Sequence, residues 1–221
     1  MIARELISDS IPSVKSTDTA GMALDWMNEF KLSQLPIVDE GQYKGMITEA
    51  DVLDGADLDH PIASIRFSGW ESAYVFYENH IYAAIDLMGN FKLEVLPVLD
   101  EDHRYLGVIT LRDLGTHLGG LFAVHEPGGV LVLEIPAHSY VLSEIVLIAE
   151  SADAKILSLY LASLPNTNDL LLTLKFNVED LSRVSAAFDR FDYKIIRSYQ
   201  RVRPMNDYSR NLDALLKYLD M

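Results

Sequence analysis

The first half of this sequence is an internal repeat, and the repeat limits the possible folds more than any other feature. A shift of 61 residues places Leu35-Pro36 on Leu96-Pro97 and keeps the preceding apolar pattern in step, with Met27 on Met88. After one extra residue near Asp102 the shift becomes 62 and aligns Gly45 with Gly107, Ile47 with Ile109, Thr48 with Thr110 and Asp51 with Asp113. A repeated unit usually buries its apolar face against its twin. We therefore expect two related half-domains that pack together.

Each copy predicts an apolar helix, then a hairpin, then the start of a second helix. In the first copy the hairpin strands are rich in β-formers and end near Val38 and Ile47. Thr48 follows at the change from strand to helix, with Asp51 three residues later. A hydroxyl and a carboxylate beside the backbone N–H groups of a helix start form a polar corner that can bind a phosphate and a ribose.

The second copy repeats this corner with one informative difference. It carries Arg112 between Thr110 and Asp113, whereas the first corner carries Glu49 and Ala50. A guanidinium can bind a phosphate through two hydrogen bonds, and a carboxylate repels it. If one corner alone holds a phosphorylated ligand, we expect the second. A surface ion pair is the alternative role for Arg112.

The whole pattern resembles a known family. Two copies of an apolar helix, of Leu-Pro followed by two apolar residues and Asp, and of Gly-x-x-Thr-x-x-Asp are similar to a tandem pair of CBS domains, a Bateman module. The resemblance extends from Met1 to about Gly120. It implies two repeats related by a pseudo-two-fold axis. It also implies a cleft that binds an adenosine-containing ligand, such as AMP, ADP, ATP or S-adenosylmethionine.

The resemblance also assigns roles to individual residues. The adenine would contact apolar hairpin residues, the Asp carboxylate would accept hydrogen bonds from the ribose hydroxyls, and the Thr hydroxyl with the helix-start N–H groups would meet the phosphate. The predicted ligand-binding residues are Thr48, Asp51, Thr110, Arg112, Asp113, Pro36, Ile37, Pro97 and Val98.

The composition argues against several other classes of function. The formal net charge is −15, which opposes binding to nucleic acid or to an anionic membrane surface. The absence of cysteine excludes a disulfide framework and suits a reducing cytoplasm. No apolar run approaches the roughly 18 residues of a membrane span. No catalytic motif is found, and the six histidines lack metal-site spacing. We expect a cytoplasmic protein that is not an enzyme and needs no metal or catalytic cofactor.

The second half of the sequence has a different pattern. Paired glycines mark a boundary, after which the predicted order is β-α-β-β-α-β over about 70 residues, the ferredoxin-like arrangement. We predict Ser139 as the N-cap of its first helix, with Leu142, Ile145, Val146 and Ala149 as the buried stripe, and Asn177 as the cap of its second. This order resembles an ACT domain, a module that often binds amino acids at a subunit interface. The turn at 136–140 lacks the glycine usual in amino-acid-binding members, which favours a packing or dimerising role.

The sequence therefore predicts a mixed α/β protein, with a CBS pair followed by an ACT-like domain, similar to acetoin-utilization B-type proteins. The predicted domains are CBS repeats at 1–60 and 61–120, an ACT-like domain at 128–203 and an amphipathic tail helix at 204–221. In the tail, Leu212, Leu215, Leu216 and Leu219 form a stripe that must pack on the body or on a partner. The predicted function is regulatory sensing of an adenosyl ligand by a homodimer. The alternative is a structural or interaction module with vestigial nucleotide sites.

Overall fold

The computed structural model describes residues 1–55, 57–65 and 72–200, which divide into two compact units, Met1–His117 and Leu118–Met221. The first unit contains α1 (Ala20–Phe30), β1 (Gln34–Asp39), β2 (Gln42–Thr48), α2 (Glu49–Asp54), β3 (Val75–Phe76), α3 (Ile81–Phe91), β4 (Val95–Leu99), β5 (Tyr105–Thr110) and most of α4 (Leu111–Leu121). The second contains β6 (Val130–Pro136), α5 (Leu142–Ser151), β7 (Ile156–Ser163), β8 (Asp169–Phe176), α6 (Ser182–Arg190) and β9 (Lys194–Tyr199). Short 3-10 turns cover Ala3–Leu6, Ile62–Ser64 and Ala137–Ser139.

The two predicted repeats have the same local structure. Each contains an antiparallel hairpin, β1–β2 in the first repeat and β4–β5 in the second. In the second repeat β3 lies parallel to β4 and pairs Val75 with Val98. The first repeat keeps a single bridge at the matching place, between Val14 and Ile37. The shift of 61 thus relates equivalent backbone pairs, which confirms the repeat.

The chain ahead of each repeat bonds to the other repeat. The first 3-10 turn is held by the second repeat, since the backbone N–H of Ala3 donates to the carbonyl of Asn79 at 2.8 Å. The second 3-10 turn is held by the first repeat, since the N–H of Ile62 donates to the carbonyl of Asp18 at 2.8 Å. This exchange joins the repeats by backbone hydrogen bonds at both ends.

Apolar side chains complete the joint between the repeats. Met46 of the first repeat packs with Val95 and Val108 of the second, all within 1% of full burial. Tyr105 packs beside them, and its hydroxyl is buried without a hydrogen-bond partner among the described residues. Burial, and to a smaller extent the nearby Asp9 carboxylate, raises the pKa of the Tyr105 hydroxyl, so this side chain is neutral at physiological pH.

The second unit has the predicted ferredoxin-like topology. Its four strands lie in the order β7-β8-β6-β9, and every neighbouring pair is antiparallel. Both helices pack on one face of the sheet, where Phe176 and Phe188 are fully buried with ring centroids 6.5 Å apart. This is the fold that the ACT resemblance implies.

Two details of the α5 prediction are wrong. Ser139 ends a 3-10 turn, and Val141 is the N-cap residue of α5 and provides no side-chain cap. The buried positions of α5 are Ile145, Ile148 and Ala149, while Leu142 and Val146 are 46% and 36% exposed. Ile148 is buried in place of Leu142 and Val146, so the buried stripe is narrower than predicted.

The predicted cap of α6 is also wrong. Asn177 accepts a hydrogen bond from the backbone N–H of Lys155 at 2.7 Å and so joins two loops. The helix starts later, with Leu181 at its N-cap position and the N–H of Ser182 donating to the Asp180 carboxylate at 2.9 Å.

One predicted element lies outside the described residues, namely the tail helix at 204–221. The described helices include none with the length and hydrophobicity needed to cross a lipid bilayer.

Candidate functional site

The residues Thr110 to Asp113, the second corner, form a closed pair of hydrogen bonds at the start of α4. The Thr110 hydroxyl donates to Oδ2 of Asp113 at 2.7 Å, and the backbone N–H of Asp113 donates to the Thr110 hydroxyl oxygen at 3.0 Å. Thr110 therefore holds the Asp113 carboxylate in a fixed orientation. The other carboxylate oxygen, Oδ1, makes no hydrogen bond with any described residue and can accept one from a ligand.

This geometry changes the role expected for the threonine. Because the Thr110 hydroxyl hydrogen points at Asp113, it is not directed towards an incoming phosphate. The backbone N–H of Leu111 is also occupied, since it donates to the carbonyl of Glu94 at 2.8 Å. The structure thus gives Thr110 the role of positioning Asp113.

A cleft of about 420 Å³ opens at the second corner and contains three of the predicted binding residues, Thr110, Arg112 and Asp113. Ser10, Lys31 and Glu94 add further polar groups to its wall, and Ile11, Phe30, Leu32 and Leu111 supply its apolar surface. The volume falls in the range of about 300–1,000 Å³ that small-molecule pockets occupy. A wall that is part polar and part apolar suits a ligand with a planar ring and a charged end.

Lys31 is a cationic residue of the cleft that was not predicted from the sequence. It follows α1 in the left-handed conformation, with φ at 57°, and Lys92 follows α3 with φ at 54°. The sequence contains a signal for this position, because the tripeptide Phe-Lys-Leu occurs in both repeats, at 30–32 and 91–93, the same distance ahead of each Leu-Pro. Lys31 and Arg112 together place two cationic side chains on the wall of the second-corner cleft.

The guanidinium of Arg112 is exposed and forms no ion pair with any described residue. The alternative role of a surface ion pair is therefore not realised in the described part of the chain. Its backbone carbonyl accepts a hydrogen bond from the Thr116 hydroxyl at 3.1 Å, which fixes the first turn of α4. The side chain is free to meet an anion.

The residues Thr48 to Asp51, the first corner, repeat the same bonds on a shorter helix. The Thr48 hydroxyl donates to Asp51 Oδ2 at 2.7 Å, and the Asp51 N–H donates back at 3.1 Å. The backbone N–H of Thr48 also donates to Asp51 Oδ2, at 2.9 Å, which completes a capping box. This helix, α2, has six residues, whereas α4 has eleven. The first corner carries the exposed carboxylate of Glu49, and Ala50 stands where the second corner has Arg112.

The four residues predicted to contact adenine are buried inside the hairpins. Ile37 and Val98 are within 1% of full burial, and Pro36 and Pro97 are also buried, opposite Met46 and Val108 on the neighbouring strands. None of the four is among the described residues that line the second-corner cleft.

A carboxylate of the second-corner cleft joins the two corners. Glu94 Oε2 accepts from the backbone N–H of Ser33 at 2.6 Å and from the Ser33 hydroxyl at 3.0 Å. The carbonyl of Ser33 in turn accepts from the N–H of Glu49, the first residue of α2, at 2.9 Å. Ser33 and Glu94 occupy equivalent positions in the repeat, 61 residues apart. The second-corner cleft is thus connected to the first corner by a chain of three hydrogen bonds.

Comparison with known proteins identifies the repeats. Residues 3–56 and 71–119 match the family model described as CBS domain. Among curated relatives, inosine-5'-monophosphate dehydrogenase of Methanocaldococcus jannaschii is 32% identical over 113 residues, which are 51% of this chain and 22% of that enzyme. Hypoxic response protein 1 of Mycobacterium tuberculosis is 28% identical over 121 residues, which are 52% of this chain and 84% of that protein. The chain thus spans only about a fifth of the dehydrogenase.

The comparison extends to solved structures. A CBS domain pair/ACT domain protein from Thermotoga maritima aligns with a TM-score of 0.48 at 25% identity, covering 53% of this chain and 96% of that one.

Proposed function

We propose that this chain, which carries a tandem pair of CBS domains at residues 3–56 and 71–119, is a regulatory protein that senses an adenosine-containing nucleotide. The second-corner cleft is the binding site. The observation that carries the proposal is that Thr110, Arg112 and Asp113, which the sequence predicts as ligand-binding residues, lie on the wall of one cleft. The ligand is AMP, ADP, ATP or S-adenosylmethionine. The proposal includes a cytoplasmic homodimer and no catalytic step.

The chemistry of the cleft supports a bound nucleotide. The free oxygen of the Asp113 carboxylate accepts a hydrogen bond from a ribose hydroxyl, while Thr110 holds the carboxylate in place. The side chains of Phe30 and Leu32 give the base an apolar surface, and Arg112 with Lys31 attracts the phosphate. The first corner supports this choice by contrast, because Glu49 repels a phosphate there.

Loss of the Asp113 carboxylate is expected to weaken nucleotide binding about ten- to a hundredfold. A hydrogen bond to a charged group contributes roughly 1.5–3 kcal/mol, and each 1.4 kcal/mol changes the affinity about tenfold. The measurement is calorimetric titration of wild type and Asp113→Ala with AMP, ADP, ATP and S-adenosylmethionine. Because the Asp113 carboxylate also accepts from the Thr110 hydroxyl at the start of α4, Asp113→Asn is measured beside it, and Asp25→Ala, at an exposed position on α1, is the control. Equal affinities of all four proteins would contradict the site.

Replacing Arg112 by methionine is expected to reduce the preference for AMP over adenosine about fivefold. The guanidinium is exposed, so its interaction with a phosphate is screened and contributes only about 1 kcal/mol. Titration of both ligands separates the phosphate from the nucleoside, because adenosine should bind Arg112→Met and wild type alike. Arg104→Met, an exposed change away from the cleft, serves as the control. An unchanged ratio for Arg112→Met would remove this residue from the site.

A second candidate function is supported by the closed hydrogen bonds of both corners. In each corner the Thr and Asp side chains hydrogen-bond to each other, and the Thr hydroxyl accepts from a backbone N–H of the helix start. The corners would therefore persist in a structural or interaction module that binds no nucleotide. Thermal unfolding distinguishes the two. A ligand at 100 times its Kd stabilises a protein by about 2.7 kcal/mol. No shift with any of the four adenosyl compounds would favour the interaction module.

A further inference from the structure

Among residues 118–200, no helix packs on one of the two faces of the second unit's sheet. The face opposite α5 and α6 is formed by two rows of side chains. Each row crosses all four strands, and along each strand the two rows are two residues apart. The first row is Ser158, Lys175, Val130 and Tyr199, and the second is Tyr160, Thr173, Val132 and Arg197. Tyr160 and Tyr199 are 47% and 52% exposed. This open face is therefore a mixed surface of aromatic, aliphatic and polar groups.

A groove of about 410 Å³ lies on the open face. Val130, Ser158, Tyr160 and Thr173 belong to its floor, and the segment after α4 forms one side through Phe122 and Val124. The Phe122 ring meets Tyr160 edge-on at 5.6 Å, and the Ser158 hydroxyl donates to the Phe122 carbonyl at 2.9 Å. Val124 is 63% exposed. Exposed apolar surface of this kind is typical of a place where another element docks.

The chain leaves the second unit beside this groove. Tyr199 ends β9 and pairs with Val130, a residue of the groove floor. Tyr199 and Gln200 line a second cavity, of about 450 Å³, which shares Val124, Val130 and Lys175 with the groove. Residues 201–221 continue from that point. The continuation therefore starts next to the apolar surface.

The sequence of the continuation fits this surface. Its leucines at 212, 215, 216 and 219 follow helical spacing, and the stripe needs an apolar partner. An isolated helix of this length is only marginally stable in water. Residues 201–206 can span about 20 Å when extended, and the four strands are together about 14 Å wide. The connection thus reaches any point of the groove.

We infer that the tail, residues 204–221, docks its leucine stripe in this groove of its own chain. Covalent connection makes the local concentration of the tail far higher than that of a separate partner at ordinary protein concentrations. The docked tail covers Tyr160 and Val124 and gives the sheet a second apolar layer.

The absence of native cysteine permits a direct test in the full chain. A short bis-maleimide is added to the double variant Tyr160→Cys/Leu216→Cys and to the control Leu147→Cys/Leu216→Cys. Leu147 is 67% exposed on α5, on the covered side of the sheet. We expect the first pair to cross-link within one chain at least about tenfold faster than the control. Equal rates, or a product at the mass of two chains, would overturn the inference, since the latter would place the tail of a second copy in the groove.

A second measurement does not depend on cross-linker geometry. The rate at which a maleimide labels Tyr160→Cys is compared with and without Leu215→Gln, a change within the leucine stripe. We expect Leu215→Gln to raise the rate about threefold or more, because the tail then protects the groove less. Lys217→Gln, off the stripe, is the control and should leave the rate unchanged. The same rate in all three proteins would contradict docking.

Discussion

Replacing Gly128 by alanine is expected to destabilise the second unit by about 2–5 kcal/mol, through backbone strain combined with overpacking. Gly128 has a φ of 149°, a conformation that side-chain-bearing residues rarely adopt. A Cβ atom there would lie 1.8 Å from the carbonyl oxygen of Phe176. That oxygen cannot retreat easily, because the backbone N–H of Phe176 donates to Gly129 at 2.9 Å and its ring is fully buried.

The measurement follows each unit separately. Trp26 packs against the core of the first unit, and the sequence has no tryptophan after position 70, so tryptophan fluorescence reports unfolding of the first unit and not of the second. Hydrogen exchange of peptides from β6 and β8 reports the second unit. Gly120→Ala is the matched control, since Gly120 lies in α4 with open space around its Cβ position. It should stabilise the helix by up to about 1 kcal/mol. Equal protection of β6 and β8 from hydrogen exchange in Gly128→Ala and Gly120→Ala would show that the predicted clash does not occur.

Replacing Glu94 by alanine is expected to lower the stability of the first unit by about 2–4 kcal/mol. The substitution removes two hydrogen bonds to a carboxylate, at 2.6 and 3.0 Å, each contributing roughly 1.5–3 kcal/mol. It also leaves the backbone N–H of Ser33 without its partner in a half-buried position. The free energy of unfolding is measured in urea by tryptophan fluorescence.

A double-mutant cycle isolates the contact. Ser33→Ala removes the hydroxyl bond alone and should cost about 1 kcal/mol, and the effect of Glu94→Ala should be smaller in that background. Glu29→Ala, at an exposed position of α1, should change the stability by less than about 0.5 kcal/mol. Additive effects of Ser33→Ala and Glu94→Ala would show that the two side chains do not interact in solution.

The repeat could be predicted because equivalent residues perform equivalent geometric tasks. Gly45 and Gly107 have φ values of 145° and 144°, each at an irregular register in its hairpin. Lys31 and Lys92 both end their helices in the left-handed conformation. Such positions restrict the choice of residue strongly, and this is why the alignment of the two copies also aligns their backbones.

Helix starts in the second unit were harder to predict from the sequence. Ser139 and Asn177 are of the right residue type for a cap, but the backbone around each serves another purpose, a 3-10 turn and a loop-to-loop hydrogen bond. Cap propensity depends on where the apolar stripe begins, and that is decided by packing against the sheet. Leu142 therefore fits the helical period and is still 46% exposed.

The candidate site could be predicted in its polar part and not in its apolar part. Thr110 and Asp113 were found because a hydroxyl and a carboxylate at a helix start have few local arrangements. Pro97 and Val98 satisfy a strand pattern equally well in a cleft or a core, and the structure buries both. The sequence offers no rule that separates those two environments, since both favour apolar residues.

The mutual hydrogen bonds of Thr110 and Asp113 limit how tightly such a receptor can hold its effector. The Thr110 hydroxyl and one Asp113 oxygen are already bonded to each other before a nucleotide arrives, so this pair offers the nucleotide only the other Asp113 oxygen as an acceptor. On the proposed function, we expect dissociation constants in the micromolar to millimolar range, about −8 to −4 kcal/mol. Occupancy would then rise and fall with the cellular abundance of the effector, and saturation would be the exception.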